Sequence, residues 1–184
     1  MKTNLYLILA ILFSSSLLAK ISYAQERYKT SSGKVDFTSD APLELIEASS
    51  DQLSGIIEPS SRKYAFSIPI TSFQGFVSDL QRQHFNEDYM ETEKYPKGTF
   101  TGTIQENIDF SQNGKSNITA IGDLTIHGIT KKRNLKSILL IEDEEIKIFS
   151  SFIILLEDHE IPVPKIVFKK IASEIQIEVN AVLK

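Results

Sequence analysis

Residues Gln83 to Gly102, QHFNEDYMETEKYPKGTFTG, decide how the rest of the chain is read. Sequence on both sides alternates apolar and polar residues as strands do, whereas this stretch changes period, charge and turn chemistry. Phe76, Leu80 and His84 fall four apart, the spacing of one helix face, and Asn86 followed by Glu87 and Asp88 has the form of an N-cap with acids in the first turn. A second short helix is expected up to Tyr95-Pro96, because proline has no N–H for the helical ladder and pushes its predecessor out of the α region. After Gly98 the run Thr-Phe-Thr-Gly-Thr-Ile puts Phe100 and Ile104 on one parity, which is a strand. Thr71 to Glu93 is therefore read as a helical insert in an otherwise β chain.

Upstream, Val35 and Phe37 alternate with polar neighbours, as do Leu43 and Leu45, and Ile57 precedes the turn Pro59-Ser60-Ser61. Tyr64, Phe66, Ile68 and Ile70 share one face of the next strand, and Pro69 marks its end or an edge. Downstream, Thr99 to Phe110 and Lys115 to His127 flank Ser111-Gln112-Asn113-Gly114, a hairpin signal. A basic turn, Lys131-Lys132-Arg133, leads to Leu135 to Ile141. An acidic turn, Glu142 to Glu145, leads to what reads as the longest strand, with Ile146, Ile148, Phe152, Ile154 and Leu156 on one parity. Pro162 and Pro164 break the chain before a closing strand carrying Ile171, Ile175, Ile177 and Val179, with a phase slip after Ile171. Eight or nine such strands predict a mainly β fold, a closed or nearly closed antiparallel barrel or a sandwich, and closure is favoured because it removes exposed edges. Apolar residues on both parities, as in Ile138-Leu139-Leu140-Ile141 and Ile153-Ile154-Leu155-Leu156, predict a second buried face that the helical insert covers, unless the insert is a lid at the barrel mouth.

The chain has 184 residues, a formal net charge of −4 and no cysteine, so its core is not stapled by disulfides. Its first residues combine Lys2, an apolar run from Leu5 to Leu18, and small residues at Ser22 and Ala24. That layout predicts a secretory signal peptide over residues 1–24, cleaved after Ala24, and a single mature domain over 25–184 with no membrane span. Loss of Lys2 and Lys20 leaves eighteen basic against twenty-four acidic residues, a sign that disfavours nucleic acid as a partner. Periplasmic or secreted location is the corresponding expectation.

Few residues suggest chemistry. His84 and Glu87 lie three apart on the expected helix, a spacing used by metal ligands, and His127 and His159 are the remaining histidines. A histidine hydrogen-bonded to backbone is the commoner outcome, so no metal is expected. The sequence has no Gly-x-Ser-x-Gly elbow, phosphate loop or dinucleotide fingerprint, and nothing in it supports catalysis. Glu91 and Glu93 belong to a solvated charged face. A metal-dependent enzyme using His84, Glu87 and His127 stays as the rival reading, and a barrel filled by its own side chains as a third.

Three segments together resemble a known family: His84 to Gly102, Gly122 to Arg133 (GDLTIHGITKKR), and Phe149 to Val179. In this order they are similar to the YceI family of exported lipid-binding proteins, over about residues 54–182. The chain departs from the family's usual opening, since Tyr28 to Gly33 lacks its histidine. The resemblance implies an extended eight-stranded antiparallel, lipocalin-like barrel whose lumen holds a polyisoprenoid chain or related amphiphile, of quinone or prenyl phosphate type, with no other cofactor and no catalytic residue. Strand parity then nominates Phe66, Ile68, Ile70, Phe100, Ile104, Leu124, Ile126, Phe152, Ile154, Leu156, Ile175, Ile177 and Val179 for the lumen. Phe73, Phe76, Leu80, Phe85 and Tyr89 are nominated for the cover or mouth, and His84 and His127 as polar anchors for a head group. Whether the protein forms a homodimer is left open by the sequence.

Overall fold

A sheet whose strands each carry one apolar parity leaves two unpaired edges unless it curls shut, and here it does. The structure, a computed structural model, describes residues 27–184; the expected signal segment lies outside the described residues. Eight strands form the barrel: β1 (Tyr28–Ala41), β2 (Glu44–Glu58), β3 (Lys63–Pro69), β4 (Lys97–Ile104), β5 (Gly114–Ile126), β6 (Ile129–Glu142), β7 (Glu145–Leu155) and β8 (Glu174–Leu183). Each pairs antiparallel with its sequence neighbour, and β8 closes the ring on β1 through Lys34↔Asn180 to Thr38↔Gln176.

The two ends differ. At one, the turns 59–62, 105–113 and 143–144 enclose a packed floor in which Ile57, Leu139, Ile146 and Leu183 are fully buried and Ile104 nearly so. Phe110 folds across this end and stacks on Tyr28 with ring centroids 6.5 Å apart. Asp143 and Glu144 have φ of 50° and 66°, the paired left-handed conformation of a two-residue hairpin, so the expected acidic turn is tight. At the other end lie the β1–β2 hairpin, the insert 70–96, the β5–β6 turn and the loop 156–173. The floor is apolar and closed; the other end is the mouth.

The insert folds differently from its sequence reading. Helix α1 is short (Asp79–His84), and its N-cap is Ser78, whose hydroxyl accepts from the Gln81 amide at 3.1 Å. Asn86 is inside the run, donating its side chain to the Arg82 carbonyl, and the chain continues as one π-helical turn over Phe85–Tyr89. In place of a second helix, Lys94 and Tyr95 both donate their amides to the Glu91 carbonyl in a turn. Ser78 wins because its extended backbone and short hydroxyl reach the orphan amide of Gln81.

Other local signals were overridden by pairing. β4 stops at Ile104, opposite Ala120, so Ser111 to Asn113 belong to a longer loop, with Gly114 opening β5, and not to a tight hairpin. Lys131, Lys132 and Arg133 are inside β6, paired with Leu124, Asp123 and Gly122, and the turn they were expected to make is at His127-Gly128, both with positive φ. Leu43 sits in the β1–β2 turn and Leu45 faces solvent. The longest strand is β2, of 15 residues, with β7 at 11. Ile171 precedes β8, which accounts for the phase slip. The second apolar parity is not covered: Phe149 and Ile153 are exposed on the outer wall, and the insert occupies the mouth.

Candidate functional site in the barrel lumen

Side chains of one parity on every strand converge on the axis without filling it. A cavity of about 650 Å3 runs from the floor to the mouth, within the range of ligand sites, roughly 300–1,000 Å3. Its wall is formed by Phe66 and Ile68 of β3, Phe100 and Ile104 of β4, Leu124 and Ile126 of β5, Phe152 and Ile154 of β7, and Ile175, Ile177 and Val179 of β8. Ile70, Phe73, Phe76, Leu80, His84, Phe85, Tyr89 and Leu156 line it toward the mouth. Three of the insert's rings form a cluster with Phe37: Phe85 stacks on it at 5.4 Å, and Phe73 and Phe76 lean in at 5.3 and 6.0 Å. Of the residues nominated from the sequence, His127 alone is not in the lining.

Several lining residues were not nominated. Val35 and Phe37 of β1, Leu53 and Ile57 of β2, Tyr64 of β3, Ile118 and Ala120 of β5, Leu135 of β6 and Ile148 of β7 all face the cavity. Most were legible by parity, since Tyr64 shares a face with Phe66 and Ile148 with Ile146. β1 and β2 were harder, because register shifts at Thr30, Gly33 and Val35 change which parity points inward. Ser137 and Ser150, directly opposed on β6 and β7, also line the cavity and share a hydrogen bond at 3.0 Å. A polar residue on an apolar parity gives no sequence signal of that kind.

Tyr64 has an unusual seat. It pairs with Gly102 of β4, which in turn pairs with Gly122 of β5, so the ring crosses two strands that have no side chain on that face. A Cβ on either glycine would come within 2.6 Å of the phenol oxygen. The hydroxyl is buried without a hydrogen-bond partner, and burial, with Asp123 adding to it, pushes its pKa well above the ordinary value. The phenol is therefore neutral across physiological pH.

The histidines organise the mouth. His127 is buried in the β5–β6 turn, with Nε2 2.7 Å from a Glu91 carboxylate oxygen and Nδ1 3.1 Å from the His159 carbonyl. Tyr95 packs edge-on at 4.6 Å, and its ring is the reason residue 128 is glycine, since a Cβ there would enter it. His127 thus ties the insert and the 156–161 turn to the β5–β6 turn, outside the lumen. His159 is fully buried, donates Nδ1–H to the Ile129 carbonyl at 3.1 Å, and has its pKa lowered by burial, against which the Ile129 and Ile126 carbonyls act. His84 is exposed and pairs with Asp88, four residues on, while Glu87 accepts from Gln83. The rival metal triad is not assembled: each of its members has a different partner, and among the described residues no three His, Cys, Asp or Glu side chains converge as metal ligands.

A closed eight-stranded barrel with a hollow apolar axis and a helical mouth is the architecture implied by the sequence resemblance. A family model described as a YceI-like domain matches residues 13–183. The chain belongs to the YceI-like family. The match takes in the N-terminal part, where Tyr28 to Gly33 departs from the usual opening.

This YceI-like chain is similar in fold to several solved structures. One is a polyisoprenoid binding domain from Saccharophagus degradans implicated in plant cell wall breakdown, at 14% identity and a TM-score of 0.73, covering 86% of this chain and 97% of that one. A second is BcnA from Burkholderia cenocepacia, at 18% identity and a TM-score of 0.66, covering 83% and 96%. A third is a YceI protein from Campylobacter jejuni, at 18% identity and a TM-score of 0.57, covering 74% and 83%. At such identities the likeness is one of fold. No curated protein matches the chain significantly.

Proposed function

We propose that this YceI-like protein is an exported, non-catalytic carrier that holds a long-chain isoprenoid lipid, of quinone or prenyl phosphate type, tail-first in the barrel. The observation that carries this reading is the cavity of about 650 Å3 walled by aliphatic and aromatic side chains from floor to mouth. Burying several hundred square ångströms of prenyl chain there contributes on the order of 10 kcal/mol before ordering costs, at ~25 cal/mol per Å2. Few polar contacts are then required. The apolar floor at Ile57, Ile104 and Leu139 suits a methyl-terminated tail, and the head group belongs at the mouth, where Glu44, Gln81, His84 and Lys170 are among the polar residues in the lining. A polyisoprenoid binding domain in the similar S. degradans structure supports the ligand class. Export with cleavage after Ala24 is part of the same reading and gives a periplasmic or secreted carrier.

Native mass spectrometry of the exported protein, followed by organic extraction, tests it. The expected result is a mature chain beginning at Gln25 with a bound mass that extracts as an isoprenoid lipid. A chain that carries no lipid and also fails to take up added geranylgeraniol would overturn the carrier reading.

A further inference from the structure

The mouth is rimmed by apolar side chains that are largely exposed, with the Lys169 ammonium 5.7 Å over the Phe168 ring. Leu43, Val77, Leu80, Ile166 and Phe168 are between 60% and 92% exposed, although they come from three separate segments. Those segments are held together. The Leu43 amide donates to the Lys169 carbonyl at 2.9 Å, the Gln81 side chain donates to Glu44 at 2.8 Å, and the Lys170 ammonium lies 3.8 Å from Glu44. Val77, Leu80 and Lys170 also line the cavity, so the patch and the opening are continuous.

The charge on this rim is specific. Between Ile161 and Ala172 the loop IPVPKIVFKKIA carries Lys165, Lys169 and Lys170 and no acid, in a chain whose net charge is −4. Some acids at the same end are engaged, Glu44 with Lys170 and Gln81, Asp79 with Arg82, Asp88 with His84, and Asp158 with Arg133, whereas Asp40 and Glu174 are exposed at the ends of β1 and β8. Glu157 and Glu160 lie on the preceding 3-10 turn and its C-cap. Exposed Ile166 and Phe168 interleaved with lysines have the composition of segments that insert apolar side chains below a layer of anionic head groups.

We infer that the mouth docks on an anionic lipid surface, with Ile166 and Phe168 inserted and Lys165 and Lys169 on the head groups, so that the lumen opens directly onto hydrocarbon. Charge separates this occupant from a second copy of the chain, because a twofold contact through the same loop would face lysines with lysines. The inference goes beyond the carrier reading and is tested separately from it. A ligand taken up through a docked mouth does not cross water, which removes the largest barrier to loading a long apolar chain.

Flotation of residues 25–184 with vesicles tests the docking; the described barrel is complete within this piece, and it lacks the apolar leader's own affinity for bilayers. The protein should float with phosphatidylcholine vesicles containing about one-third phosphatidylglycerol, less with phosphatidylcholine alone, and less at high salt. Ile166→Ser with Phe168→Ser should weaken this about a hundred-fold, and Lys165→Gln with Lys169→Gln by roughly five-fold per lysine. Both pairs lie outside the cavity lining, so uptake of geranylgeraniol from solution should be unchanged in folded variants. Failure of the wild type to float with anionic vesicles, flotation that the Ile166 and Phe168 replacements leave intact, or a self-association that the same replacements abolish would each overturn the proposal. Geranylgeraniol uptake reports on the lumen in every arm, so loss of docking and loss of the carrier reading are distinguishable.

Discussion

Replacing Ala120 by phenylalanine sets the stability of the barrel against its capacity. Ala120 is buried in β5, opposite Leu135 and the floor residue Ile104, and its methyl group faces the cavity between Ile118 and Leu124. A phenylalanine ring there has a void to enter, and it occupies space a ligand tail would otherwise fill. An aromatic side chain covers about 150 Å2 of apolar surface, which at ~25 cal/mol per Å2 is about 4 kcal/mol of ligand burial lost, or roughly a thousand-fold in affinity. Filling part of an empty cavity should meanwhile hold or raise stability, by about 1 kcal/mol, equivalent to roughly two to four degrees in Tm for a domain of this size. Titration with geranylgeraniol, paired with thermal unfolding of the ligand-free protein, reads both quantities. Ordinary damage to the core lowers both together, whereas a plug moves them in opposite directions. Unchanged affinity in a folded Ala120→Phe protein, or a fall in Tm accompanying lost binding, would refute the reasoning that the lumen is the site.

Further expectations follow from single observations. Gly102→Ala should cost about 3 kcal/mol or more in urea unfolding, because its Cβ overlaps the Ile121 carbonyl oxygen and comes within 2.6 Å of the Gly122 Cα, whereas Gly114→Ala, with nothing within 4 Å, should be neutral or slightly stabilising. Tyr64→Phe removes a buried hydroxyl without a partner and should stabilise the empty barrel by about 1 kcal/mol; a loss of that size in thermal unfolding would mean the hydroxyl has a role in the ligand-free protein. His159 is held below its reference pKa of 6.5 by burial, so the unfolded chain binds more protons, and the contribution of this residue falls as pH drops from about 7 toward its folded pKa. The slope is at most about 1.4 kcal/mol per pH unit, and a His159→Gln variant, though less stable, should lose that part of the pH dependence of unfolding.

The alternation of apolar residues in Tyr64 to Ile70, Ile146 to Ile154 and Ile175 to Val179 was enough to predict both strands and the side of each that faces inward, because a period of two admits no other assignment once one face is buried. All thirteen residues nominated by parity line the cavity, and Phe73, Phe76, Leu80, His84, Phe85 and Tyr89 line it from the insert, where that rule does not apply. The one nominated residue outside the lining, His127, has lumen-side neighbours in sequence but sits in a turn with φ of 50°, where parity no longer applies. Local signals were weaker guides wherever two elements compete for the same backbone groups. Asn86 has every local qualification for a cap, yet the helical run already starts at Ser78, about two turns earlier; Lys131 to Arg133 look like a turn, yet each has a ladder partner in β5.

What the linear chain determined by itself was most of the strands, the inward side of those with clean alternation, and the family, since alternation and motif spacing are properties of neighbours along the backbone. Only tertiary structure decided that the tube is hollow: the volume left at the axis depends on how eight walls of different taper meet, and Gly55, Gly102 and Gly122 let Phe66 and Tyr64 lie against the wall instead of across it. The same holds for the mouth, where Leu43, Leu80 and Phe168 are far apart in sequence and become one exposed rim because closure of the ring brings their three segments to the same end.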